Sequence, residues 1–454
     1  MLEHHINIPA DNKQYDTLLE ALINQEYCSE AHRKKERRLQ RRKAKWCFLS
    51  VLYVFFVYFG FLHPATHHYL GRFLHRGSSG LENNGNSQPG SEVSWDGPAI
   101  FKTEADNFKL YVSGKRLTGG VYVKQQPVDQ VELHIEGTIR YDSASVKVNA
   151  APIYKGSLYE AEDTLHRGLR ISIRETATDF IAMIRLEEEG DDGNGNQVPL
   201  SADLQFTIVF PEDYSSYKSL SIETKPSTAN TLNIHLLEKL EIEFLTLNLQ
   251  ASSGSIEVAE RIVVKNLITY SLLGTDIFEV LAVPGEPIMV SSNTASGTLD
   301  INVLTSSVDS GVTQPNRLFL GSGGGEVYST IGPDPDSADS EHAGINLSVN
   351  TVSGLLHSTV RLADESQVLL ATVKSFSGSI DFVVSDKYSG SLGLSSEFES
   401  VELLPKENSK SKIVYEEKTS SKIVATKSLA SSPDVGSGKL ALSSPNGQVR
   451  ISFE

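Results

Sequence analysis

Few residues in this 454-residue chain have the type and spacing that chemistry requires. Asp334-Pro335-Asp336 matches the acid-x-acid pattern with which glycosyltransferases hold a metal on a nucleotide sugar. Those enzymes need an α/β nucleotide-binding domain, and the helical periodicity for one is missing, so the run reads as a solvated insertion. Asp192, Asn194 and Asn196 space oxygen ligands at alternate positions, and Asp203 falls twelfth in the same stretch, faintly like a calcium loop. Gln197 stands where that loop needs Gly, and the twelfth residue is Asp instead of a bidentate Glu; a polar hairpin tip is the better reading. Glu257 and Asp300 each follow a Ser-Gly pair and would align on stacked strands as an acidic ladder for cations. The plainer reading is a solvated face that keeps strand edges apart. Asn346-Leu347-Ser348 is an acceptor sequence for N-glycosylation. No G-x-S-x-G, P-loop, H-E-x-x-H or dinucleotide fingerprint occurs, so no catalytic residue, metal set or cofactor is implied.

The elements that would carry these residues begin with an apolar run. Trp46 to Leu62 holds 17 uncharged residues, eight of them aromatic. That is near the lower limit for crossing a bilayer as a helix. Arg33, Lys34, Lys35, Arg37, Arg38, Arg41, Arg42, Lys43 and Lys45 precede it, opposed only by Glu36. The positive-inside bias places the N-terminus in the cytoplasm, and the same cations would attract anionic lipid. The n-region is too long for a cleaved signal peptide, so the sequence predicts a single-pass type II signal anchor. The expected location is the secretory pathway (ER or Golgi), the cell surface or the vacuole.

The expected organisation is a basic cytoplasmic tail over 1–45, a membrane anchor over 46–63 and a flexible Gly/Ser/Asn-rich stalk over 64–98. A β-rich leading part follows over 99–220, then a repeat region over 221–454. The chain carries a net charge of -16, and its first 45 residues are basic, so the remainder is more acidic still. That balance argues against a nucleic-acid partner. Cys28 and Cys47 are the only cysteines, so the large downstream region is held by its core without disulfides.

From Ala99 onward the apolar runs are short and alternate, as in Val131–Ile135, Leu169–Ile173 and Leu204–Phe210, which argues strands. Residues 231–247 also read as strands, from alternations such as Leu240-Glu241-Ile242-Glu243-Phe244. A repeat then appears. Ser253-Gly254-Ser255-Ile256-Glu257 returns as Ser296-Gly297-Thr298-Leu299-Asp300, as Ser377-Gly378-Ser379-Ile380-Asp381 and as Ser389-Gly390-Ser391-Leu392. Weaker copies surround Gly274, Gly324 and Gly354. Gly254, Gly274, Gly297, Gly354, Gly378 and Gly390 are therefore expected at tight corners, each followed by a short inward-pointing strand. One such unit buries too little to stand alone, but stacked units bury a continuous core. The expected fold is all-β, a stacked-strand or β-solenoid ectodomain behind one N-terminal transmembrane helix.

The strand ending in Phe210-Pro211 and the serial Ser-Gly-[Ser/Thr]-[Ile/Leu]-[Glu/Asp] units resemble the adhesin-type domain of unknown function found in bacteria and fungi. The acidic, single-span layout is similar to fungal members. The resemblance covers about residues 200–400 and implies a β-solenoid with a surface or binding role and no catalytic residues. The uneven spacing between 310 and 350 departs from the family's regular stacking. The expected function is non-enzymatic display of a binding or scaffolding surface for a glycan or protein ligand. The alternatives are a luminal carbohydrate-active β-helix enzyme and a trafficking factor acting through the basic tail.

Overall fold

The computed structural model describes residues 92–94, 100–141, 169–186, 189–191, 197–226, 231–308, 314–337, 341–431 and 436–454. The basic tail, the apolar run over 46–63 and the loop over 192–196 lie outside the described residues. Among the described residues no helix is long and apolar enough to cross a membrane. Their regular structure is 29 strands and a single-turn 3-10 helix at Pro335–Ser337.

The strands stack in two columns. Along the first run Ser216–Pro226, Glu243–Ala251, Ile262–Ser271, Met289–Thr294, Asn316–Ser322, Ile345–Thr351 and Leu369–Ser375, each parallel to the next. Along the second run Leu232–Leu236, Ile256–Val258, Asp276–Ala282, Leu299–Thr305, Val327–Pro333, Leu356–Val360 and Ile380–Val384. A rung is one strand of each column joined by a tight corner. Strict period-2 alternation builds it: in Leu369–Ser375 every second side chain is buried and the others face out. The inward side chains of both columns form one core, to which each fully buried Leu, Ile, Val or Phe contributes about 1.5–3 kcal/mol. Stacking passes without a break through 310–350, because the uneven lengths fall between strands, over 306–315 and 334–344.

The columns extend N-terminal of residue 221. Asn107–Gly114 and Leu117–Gln126 form a complete rung that pairs with Ser216–Pro226 and Leu232–Leu236 on one side. On its other side lie Asp179–Leu186 and Gln197–Pro211, which come later in sequence. The C-terminal end mirrors this. Gly438–Ser444 and Val449–Phe453, the last rung in sequence, slot between Leu369–Val384 and the rung Gly390–Ser396/Val401–Leu404. The first rung in sequence and the last are thus each tucked one rung inside the stack, while Glu92–Ser94 and Ile100–Thr103 pair with the capping strand Val131–Tyr141.

Antiparallel strands close the ends. Leu169–Glu175 covers Asp179–Leu186, and Val131–Tyr141 covers Gln197–Pro211. At the far end the hairpin Lys412–Lys418/Lys422–Ser428 covers Gly390–Ser396, so the ten-residue echo Ser411-Lys412-Ile413/Ser421-Lys422-Ile423 marks facing strands. Its outermost strand is bulged between Tyr415 and Glu417 and exposes Glu416, Glu417 and Lys418, features that discourage pairing with another edge. Lys427 reaches inward from this hairpin and is 1% exposed. Its ammonium donates to Tyr388 O at 2.9 Å and to Ser411 Oγ at 3.1 Å, pairs with Asp386 Oδ1 at 3.0 Å, and lies over the Phe453 ring. Burial lowers its pKa against the pull of Asp386. One side chain therefore ties the closing hairpin to the inserted last rung.

The corners have a specific chemistry. At three corners the glycine N–H donates to a buried Ser or Thr three residues before it: Gly297 to Thr294 Oγ1 at 3.0 Å, Gly325 to Ser322 Oγ at 2.9 Å and Gly378 to Ser375 Oγ at 2.7 Å. The same hydroxyls reach the preceding corner, as Ser322 Oγ does to Gly297 O at 3.3 Å and Ser444 Oγ to Gly378 O at 2.8 Å. Successive corners approach so closely that a Cβ on Gly297 would stand 1.4 Å from Gly274 O, and one on Gly378 1.6 Å from Gly354 O. Only Gly354 of this series also has a left-handed φ, at 105°. Gly378→Ala is expected to cost about 2–4 kcal/mol, because backbone on two stacked corners must part. Ala at the exposed, preceding Ser377 is expected to cost less than about 0.5 kcal/mol; chemical denaturation of the two variants checks the difference.

Candidate functional site

The corner glycines 254, 274, 297, 354 and 378 line up on successive rungs, each stacked on the corner before it. In the rung that contains Gly324 the stacked residue is Gly325, whose Cβ would meet Gly297 O at 1.9 Å. Gly390 stands elsewhere. It opens the strand Gly390–Ser396 with φ 145°, and the corner of that rung carries Glu399, whose N–H donates to Ser396 Oγ at 3.1 Å. Gly447 belongs to the corner series, with a Cβ position 2.2 Å from Gly378 O. The Ser-Gly pattern missed it because its corner reads Ser444-Pro445-Asn446-Gly447; a Ser or Thr three residues before Gly was the signal that could have found it.

Glu257 and Asp300 do share one outward row of the second column, but they do not form an acidic ladder. Ile277 separates them, and the row continues through Tyr328, His357, Asp381, Arg450 and Glu402. Histidines and an arginine stand beside two of the acids, while Asp300 lies between Ile277 and Tyr328. His235 Nδ1 stands 3.3 Å from Glu257 Oε2, and His357 Nδ1 stands 3.2 Å from Asp381 Oδ2. Arg450 clasps Asp381 through two bonds of 2.9 Å, which holds that carboxyl below the usual carboxylate range. Tyr122 stacks on His235 at 5.1 Å between ring centres, so a Tyr–His–acid sequence occurs twice along the row.

The first column presents a different outward face. Over the eight rungs from Glu243–Ala251 to Gly390–Ser396, the three outward rows that begin at Thr246, Asn248 and Gln250 contain no acidic residue. They hold amides and hydroxyls, the exposed apolar side chains Ile268, Tyr270, Phe319 and Leu370, and the cations Arg317, Lys374 and Lys439. Asn346 is exposed on this face, between Arg317 and Leu370.

Asp334 is 8% exposed and lies 3.4 Å from Arg261 Nη1, and among the described residues no three His, Cys, Asp or Glu side chains could hold a metal ion together. Arg261 also pairs with Glu279 at 3.0 Å in an open groove of about 620 Å³ between the columns, where Lys239 donates to Glu241 at 2.8 Å. That bond lowers the Glu241 pKa, the opposite of what a general acid needs. The carboxyl that burial does push up, to about 7, belongs to Asp276. It is fully buried on the inward row between Ile256 and Leu299. Ser271 Oγ donates to its Oδ2 at 2.8 Å, while Oδ1 has no partner. Sealed in the core, this acid touches no substrate.

No protein-family model matches the chain, and no curated protein is significantly similar to it. Two solved structures align with it. One, a candidate cell adhesion protein from Clostridium sporogenes, is 9% identical, covers 80% of this chain and all 100% of its own, and has a TM-score of 0.17. The other, a candidate adhesin from Bacteroides fragilis, is 10% identical, covers 80% of this chain and 97% of its own, and has a TM-score of 0.25. At such TM-scores neither likeness carries an argument about this chain.

Proposed function

We propose that this chain is a non-catalytic, adhesin-like display protein whose stacked-strand domain binds or scaffolds through its broad outward faces. In this reading Trp46–Leu62 anchors it as a single-pass type II membrane protein with the basic tail in the cytoplasm. The observation that carries the reading is the pair of long outward faces, each a set of regular side-chain rows of distinct chemistry. Glycoside hydrolysis on such faces would need an acid with a raised pKa beside a second carboxylate in one cleft. The raised acid, Asp276, is buried instead.

The test is a binding screen of the full-length protein against glycans and cell-wall polysaccharides, with turnover measured in the same wells. Retention without product is the expected result, and product formation overturns it. Protease added to intact microsomes is expected to spare the region after residue 64; its digestion overturns the orientation.

A further inference from the structure

The acid-free face has a centre. Tyr270 and Phe319 are 42% and 45% exposed, and their strands are two rungs apart, with Met289–Thr294 between them. At the spacing of hydrogen-bonded strands this separates the rings by about 10 Å along the stack. On the intervening rung, in the same row as Tyr270, stands Asn293, exposed and with no hydrogen bond from its side-chain amide to the described residues. The next residue in that row is Gly321, and a Cβ there would meet Asn293 Oδ1 at 2.5 Å, so the amide leans over bare backbone. Other amides of the face are already engaged, Asn248 with Ser221 at 3.1 Å and Gln250 with Asn248 at 3.2 Å. Arg317 is exposed two residues before Phe319.

We propose that Tyr270, Asn293 and Phe319 form the central subsite for a pyranose-based glycan chain lying along the stack. This rests on the display reading above. A sugar ring offers hydroxyls that both donate and accept, which suits the unengaged amide of Asn293. It also offers an apolar C–H face, which suits a flat exposed aromatic ring. The regular rung spacing presents the same kinds of contact to successive sugars. Charge favours this face over the second column: in a chain of net charge -16 it carries three cations and no acid, so it accepts neutral and acidic glycans alike. A protein that seats these rings in pockets of its own is the competing occupant, and the probes below separate the two.

The test uses full-length protein carrying Asn346→Gln, so that no glycan of its own covers the face. Three immobilised hexasaccharides serve as probes: β-linked glucose, α-linked mannose and α-linked galacturonate. At least one is expected to retain the protein. Tyr270→Ala and Phe319→Ala are each expected to weaken that retention about tenfold, while Tyr270→Phe and Tyr328→Ala on the other column leave it unchanged. Circular dichroism and melting of each variant are expected to match the parent, since the substituted side chains face out. If no probe is retained, or if retention survives both alanine substitutions, the subsite is overturned. A protein ligand captured in its place would leave the display reading standing, whereas sugar turnover would overturn that reading itself.

Discussion

Removing residues 436–454 is expected to lower the melting temperature by about 10 °C or more and to expose the chain after residue 385 to protease. In an ordinary stack the last rung in sequence is the last in space, and its loss removes a single interface. Here Gly438–Ser444 pairs with Leu369–Ser375 on one side and Gly390–Ser396 on the other, so the truncation removes two. It withdraws the buried Leu440, Leu442, Val449, Ile451 and Phe453 from the core at once. It also takes the aromatic ring from beside Lys427 and leaves facing strand edges unpaired over a gap. Ile451→Ala in the intact chain is expected to cost about 2–5 kcal/mol. A truncated chain that melts like the parent would show that the two flanking rungs close on each other without help.

Asp276→Asn is expected to raise stability by about 2–4 kcal/mol at pH 8 and to change it little at pH 4. The carboxyl titrates at about 7 in the folded chain because burial disfavours its charge; Ser271 and the backbone of Ile256 offset this only in part. In the unfolded chain it titrates near about 4, so between about pH 4 and 7 the folded state holds one proton more than the unfolded state. Stability from the neutral carboxyl is therefore fully present below about pH 4 and is lost as pH rises to about 7. Asn keeps the shape and has no charge to lose. Denaturant titrations of parent and variant at both pH values check this as a difference, which removes the opposite slope of paired carboxylates such as Asp381. A constant difference across that range would sink the idea.

The strands were legible because each rung repeats the same period-2 burial, and the corners because glycine is needed where backbones nearly touch. What the Ser-Gly motif missed is instructive. At five corners the organising residue is a Ser or Thr three positions upstream, Thr294, Ser322, Ser375, Ser396 and Ser444, and a reading fixed on the dipeptide passed over it. Gly390 satisfied the dipeptide without occupying a corner, and Gly447 occupies one without the dipeptide. Asp276 sat in a weak copy of the repeat, and its position there, equivalent to Ile256 and Leu299, was the mark of an inward acid. The spatial order of rungs was not legible. Every rung offers its neighbours the same parallel edge and the same apolar rows, so nothing local says that 438–453 belongs beside 369–384 and not after 390–404. The acid-free face was hidden for the same reason, since its rows join residues far apart in sequence.

The inward placement of both terminal rungs sets an order on biosynthesis. A growing chain can lay down 243 to 384 rung by rung as it emerges, each strand meeting a neighbour already made. The first rung, 107–126, must wait for residues 216–236 before its second side is covered. At the far end the rung 390–404 is made before 438–453, the rung that separates it from 369–384, so the middle layer is the last of the three to emerge. The fold at that end closes by insertion between two rungs already made, not by addition to an open edge.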